Sequence, residues 1–124
     1  RRGGDMTKGA RRTLAVLLGG SLLLGGMSGT MAATKKVRAK GERWRPVHTY
    51  IGRNDTVRWT NPSNQVHDIK AYGKGWRFSK ILQPGQKATR RFKKRGTFRY
   101  RCVRHSGIVS GKCQGMCGLI HVVS

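Results

Sequence analysis

The sequence predicts an all-β sandwich, on three observations. Apolar and polar residues alternate at period two in several short runs, turn-forming clusters separate those runs at fairly even spacing, and no segment after Thr34 carries a 3.6-residue apolar repeat. About 90 residues follow that point, enough for one domain with a modest core that a bound metal would help to hold.

The elements follow in order. Residues 34–45 are basic and polar and accommodate a first strand around Val37. Asp55-Thr56-Val57-Arg58-Trp59-Thr60 alternates cleanly, so Val57 and Trp59 share a face, with turn residues Arg53-Asn54-Asp55 before it and Asn61-Pro62-Ser63-Asn64 after it. Val66 to Ala71 reads as the next strand, and Tyr72 to Gln86 as a longer glycine-rich connection ending in the Pro84-Gly85 turn. Lys87 to Phe92 and Gly96 to Cys102 read as two strands joined by a short basic turn. Gly118 to Val123 closes the chain, with Ile120 and Val122 on one face and Leu119 and His121 on the other.

Residues 1–33 read differently. Lys8, Arg11 and Arg12 precede a stretch, Thr13 to Thr34, without one charged residue, and the stretch ends in Thr30-Met31-Ala32-Ala33. This is the pattern of a secretory signal cut near Ala32 or Ala33, which is favoured over an uncleaved membrane anchor because glycines weaken the run as a permanent helix. Arg11-Arg12 reads as two ordinary signal charges, with a twin-arginine export signal as the alternative. Export places the domain, residues 34–124, in the periplasm or outside the cell.

The formal charge is +23, of which +19 belongs to residues 34–124. Such a field favours an acidic partner protein or an anionic membrane surface. Nucleic acid is not expected, because the chain carries an export signal and its cations are scattered instead of gathered on a recognition helix. A monomer is expected.

Alternation in Phe98-Arg99-Tyr100-Arg101-Cys102 turns Phe98, Tyr100 and Cys102 inward, so the cysteine ends a core-facing row at the rim of the sandwich. His105 follows three residues on, Met116 stands just before the last strand, and His67 begins an upstream strand. One thiolate, two imidazoles and one thioether make the donor set of a blue-copper site, which has no open position for a substrate. His67, Cys102, His105 and Met116 are the candidate ligands, and one copper is the expected cofactor.

In these residues the chain resembles the cupredoxins, especially the plastocyanin and pseudoazurin-like branch, from Arg45 to Val123. The matching pieces are Asn54 to Asn61, Val66-His67, Leu82-Gln83-Pro84-Gly85, Gly96 to His105 and Gly115 to Val122. The resemblance implies a Greek-key sandwich with copper near one end, His105 partly exposed as the electron port, and His67 more buried. Two departures stand out. Ten residues, Ser106 to Gly115, separate His105 from Met116 where the family has only a few, so the assignment of Met116 rests on the Gly-Met-x-Gly context. Asp68 stands where Asn is common after the first histidine. It is expected to replace the amide's hydrogen bonds only in part and to lower the reduction potential through its charge.

Cys113 and Cys117 are left over, and a disulfide between them is one reading. Pairing of Cys102 with either is another, as is a zinc site of Cys102, His105, Cys113 and Cys117. His48 and His121 read as ordinary histidines, and the tryptophans and phenylalanines as packing. No carboxylate pair or Ser-His-Asp pattern supports catalysis, so no enzyme is expected. The leading function is an exported electron carrier cycling Cu(II) and Cu(I). The alternatives are copper sequestration or delivery without a redox role, and a zinc-stapled cationic secreted module.

Overall fold

The computed structural model describes residues 31–124, and within them the alternation of side chains becomes nine strands and no helix. They are β1 (Thr34–Lys40), β2 (Arg43–Arg45), β3 (His48–Ile51), β4 (Thr56–Thr60), β5 (His67–Tyr72), β6 (Ser79–Leu82), β7 (Lys87–Arg91), β8 (Gly96–Val109) and β9 (Lys112–Val122). One sheet has the order β2-β1-β4-β7 and the other β3-β9-β8-β5-β6. The chain crosses repeatedly between the two sheets, so that β1 lies parallel to β4 and β3 parallel to β9 while the other neighbours are antiparallel. The signal or anchor read at residues 1–33 lies, up to Thr30, outside the described residues, and Ala32–Ser124 forms one compact unit. No helix among the described residues is long and apolar enough to cross a membrane.

Period-two alternation sorts the side chains between core and surface. Val37 and Ala39 of β1, Val57 and Trp59 of β4, Phe98, Tyr100 and Cys102 of β8, and Ile120 and Val122 of β9 all point inward and are buried. Trp44 and Trp59 meet the Tyr100 ring edge-on, with centroids 5.7 and 5.3 Å away, an arrangement that aromatic quadrupoles favour. Trp44 also lies 6.2 Å from the His67 ring, so the aromatic core continues up to the candidate ligands.

Room for Tyr100 comes from Gly118, directly opposite it on β9. A Cβ at Gly118 would overlap the Tyr100 ring. Gly118→Ala is therefore expected to lower stability by about 1–3 kcal/mol, the usual cost of overpacking a core. Thermal melting of the copper-free protein checks this, and an unchanged midpoint would contradict it.

The structure departs from the sequence reading in three places. β6 lies inside the expected Tyr72–Gln86 connection, and β3 follows the basic N-terminal stretch. Both have four residues, too few to display a period. The stretch expected to be a loop from Ser106 to Gly115 is instead a β-hairpin that continues β8 into β9.

Candidate metal centre

The site is built on an irregularity of that hairpin. Arg101 pairs with Cys117 and Ser106 pairs with Gly115, so Cys102, Val103, Arg104 and His105 stand against the single residue Met116. Bulges of this kind re-aim side chains beside functional sites. The ten inserted residues do not separate His105 from Met116, because they fold back on themselves and their two ends are neighbours. Ser110 and Gly111, with φ of 51° and 76°, turn the hairpin tip.

Gly115 has φ of +99°, and a Cβ there would collide with the His105 carbonyl oxygen, so only glycine lets β9 pass so close to that ligand loop. Cys113 and Cys117 form a disulfide, and their Cα atoms lie 6.2 Å apart. An extended strand would hold residues four apart at about 13 Å, so β9 bends sharply between them. Met116 sits on this bend and is fully buried. The disulfide settles the cysteine pairing, leaves Cys102 free, and removes two of the four ligands of the zinc alternative.

His67 opens β5 and Cys102 lies at the bulge of β8; both are fully buried, while His105 is half-buried. The Cys102 Sγ lies 3.8 Å from His67 Nδ1 and 3.5 Å from His105 Nδ1. Donor atoms of His67, Cys102 and His105 all fall within 4.8 Å of one another, the only such group of His, Cys, Asp or Glu among the described residues. The structure thus brings together three of the four sequence-derived candidates and buries the fourth in the strand segment facing them. Two imidazoles turning their Nδ1 atoms on one buried thiol make a soft donor set able to hold a metal ion.

Asp68 ties the two ligand segments together. Its carboxylate accepts the Val103 N–H at 3.1 and 3.2 Å, the Arg104 N–H at 3.5 Å and the Cys102 thiol at 3.2 Å, while its own N–H donates to Cys102 Sγ at 3.4 Å. The tie expected only in part is made with the carboxylate acting as acceptor. The groups facing it are donors, and a carboxylate is the stronger acceptor. Asn61 does similar work for the loop before His67. Buried itself, it donates to the Gln65 and Leu82 carbonyls at 2.7 and 2.9 Å, and Leu82 is the register partner of His67. In the sequence Asn61 reads as a turn former and as the end of the matching piece Asn54 to Asn61; its bond to the Leu82 carbonyl depends on β6 meeting the His67 segment.

Among the other residues singled out, Arg101 donates to Ser106 O and Oγ at 3.3 and 3.1 Å and braces the base of the hairpin. Arg104 is half-exposed and makes a loose 3.9 Å pair with Asp68. Glu42 lies 3.7 Å from His105 Nε2, at the open edge of that ring. His48 and His121 hydrogen-bond each other at 2.9 Å on the outer face of the five-stranded sheet and are not part of the cluster.

Burial disfavours the imidazolium of His67, with further repulsion from His105, and lowers its pKa below 6.5. Burial likewise pushes the Cys102 thiol above 9.0. The unfolded chain therefore binds more protons than the folded one below pH 6.5, and fewer above pH 9. Stability of the copper-free protein is expected to be greatest between those limits, falling as pH drops through 6.5 and again as it rises past 9. Denaturant midpoints across this range check the shape, and a midpoint that rises on acidification would contradict it.

No protein-family model matches the chain, and no curated protein matches it in sequence. Solved structures do resemble it. A purple cupredoxin from Nitrosopumilus maritimus is 18% identical over 71% of this chain and 98% of that one, with a TM-score of 0.56. A reduced amicyanin variant is 19% identical over 72% and 81%, with a TM-score of 0.58. A copper-containing nitrite reductase from Thermus scotoductus SA-01 is 21% identical over 77% of this chain and only 23% of its own length, with a TM-score of 0.61. The chain has a cupredoxin fold.

Proposed function

We propose, from the cupredoxin fold and the buried thiol between two imidazoles, that the chain is a blue-copper electron carrier of the exported kind. The observation that carries this reading is the convergence of His67 Nδ1, Cys102 Sγ and His105 Nδ1. These residues would hold one copper, with the buried Met116 sulfur as a weaker fourth donor. The ion supplies a one-electron couple between Cu(II) and Cu(I). Soft sulfur suits the reduced state and imidazole suits both.

The protein's own contribution is positional. Asp68 and Asn61 hold the ligand segments, and the Trp44 and Tyr100 rings exclude water from the inner side. A prebuilt, braced cluster limits rearrangement when the charge changes. His105 is the most exposed of the four candidates, which supports its role as the electron port. Half-exposed Ile81 and Val103 line one shallow depression with the cationic Arg104 beside Asp68, and these fit a transient docking patch for an acidic redox partner. No general acid–base pair is needed for such work, and the reading is not enzymatic.

Sequestration without redox is disfavoured because the two extra thiols that motivated it are consumed in the disulfide. Titration with Cu(II) tests the proposal. One equivalent is expected to produce an intense visible band that one electron bleaches reversibly, and colourless binding would contradict it. Electron transfer to an acidic partner is expected to slow at least about tenfold between low and high salt, because added ions screen the attraction. Stopped-flow rates read this directly, and a rate indifferent to salt would count against the docking assignment.

A further inference from the structure

The two outer faces of the sandwich differ sharply in composition. On the five-stranded sheet, outward positions mix Tyr50, Tyr72, Leu119 and His121 with the acidic Asp68 and with three cations, Lys70, Arg99 and Arg101, of which Lys70 faces Arg101. On the four-stranded sheet, every outward position of β1, β2, β4 and β7 is Lys, Arg or Thr. Register places like charges directly opposite each other: Lys36 faces Arg58, Arg38 faces Arg45, and Lys40 faces Arg43. Lys87 and Arg91 extend the field along β7, and threonines fill the remaining places. No cation of this face joins an ion pair among the described residues.

Opposed like charges destabilise a sheet. Basic residues on edge strands hinder strand-to-strand aggregation, which accounts for β2 and β7. That explanation does not reach Lys36, Arg38 and Arg58, which lie on the central strands β1 and β4. Arg58, in the middle of the lattice, has a buried Nε without a hydrogen-bond partner. An extended layer of anions laid over the face would relieve the repulsion among its exposed cations.

We infer that this face docks on an anionic lipid surface. Its outward positions carry no aromatic ring, so it offers no stacking platform for single-stranded nucleic acid, and it presents no helix to a duplex groove. Cations spaced at strand intervals of about 4.8 Å suit a continuous sheet of headgroups. Docking by this side leaves the Val103 and Ile81 patch, which belongs to the other sheet and its bulge, free for a protein partner.

The test uses the full chain with vesicles of phosphatidylcholine alone or with about 30% phosphatidylglycerol, and the difference between them cancels any contribution of the apolar run. Amine acylation read by mass spectrometry is expected to show Lys36, Lys40 and Lys87 protected on anionic vesicles, with Lys70 and Lys80 still reactive. Replacing Lys36, Arg38 and Lys87 by Gln is expected to weaken anionic binding about a hundredfold, at about fivefold per cation. Replacing Lys70, Lys80 and Arg99 by Gln removes the same charge from the opposite sheet and is expected to cost far less. Equal losses from the two triple variants, equal protection on both faces, or stronger protection by duplex DNA at the same salt would overturn the inference. The footprint on the unaltered chain decides the matter even if a variant fails to fold, and no readout involves copper, so its failure is separate from failure of the copper reading.

Discussion

Cys102→Ser is expected to abolish the intense visible band of the copper-loaded protein completely, while the copper-free variant keeps its fold. The thiol is fully buried between two imidazoles, and no other thiol is free to replace it, because Cys113 and Cys117 are bonded to each other. Serine keeps nearly the same shape and still reaches Asp68, so packing should survive. Its oxygen is hard and stays protonated, so it cannot supply the soft thiolate on which this chemistry depends. A band retained in the serine variant would move the copper to another set of ligands. Melting and far-ultraviolet spectra of the same sample separate loss of the ligand from loss of the fold.

The second large effect falls on Asp68. Its carboxylate lies 3.2 Å from Cys102 Sγ and holds the Val103 and Arg104 N–H groups. A negative charge so close favours Cu(II) over Cu(I), so Asp68→Asn should raise the reduction potential, by on the order of 100 mV at the effective dielectric of a protein site. Asparagine keeps a carbonyl oxygen for the backbone donors, so copper should remain tightly held. Asp68→Ala removes charge and acceptor together and is expected to show the higher potential with faster copper loss, since the donors lose their partner and the ligand segments come apart. Voltammetry and chelator-challenge kinetics read the two effects independently. An unchanged potential in the Asn variant would contradict the assignment of this effect to the Asp68 charge.

Much of this arrangement was legible in the chain because alternation is a local signal. Val57 and Trp59, and the row from Phe98 to Cys102, announced their faces from their own neighbours, and that placed Cys102 at the rim. His67 and Met116 were legible through resemblance and motif context. What escaped was set by distant partners. β3 is four residues long and makes sense only beside β9, and β6 is a short edge strand of largely exposed residues. The Ser106–Gly115 stretch is too polar and glycine-rich to display a strand period, yet pairing across its own turn makes it a hairpin. Asp68 was read for its charge, but its bonds to Val103 and Arg104 depend on two loops meeting. The basic sheet face was hidden for the same reason: its cations come from four separated segments, and only the register shows them opposed.

The central claim is tested most directly by X-ray absorption at the copper edge on the full chain loaded with one equivalent of copper. The account predicts one short bond to a thiolate sulfur and two to imidazole nitrogens, in both oxidation states and with little change between them. A first shell of nitrogen and oxygen alone would contradict it.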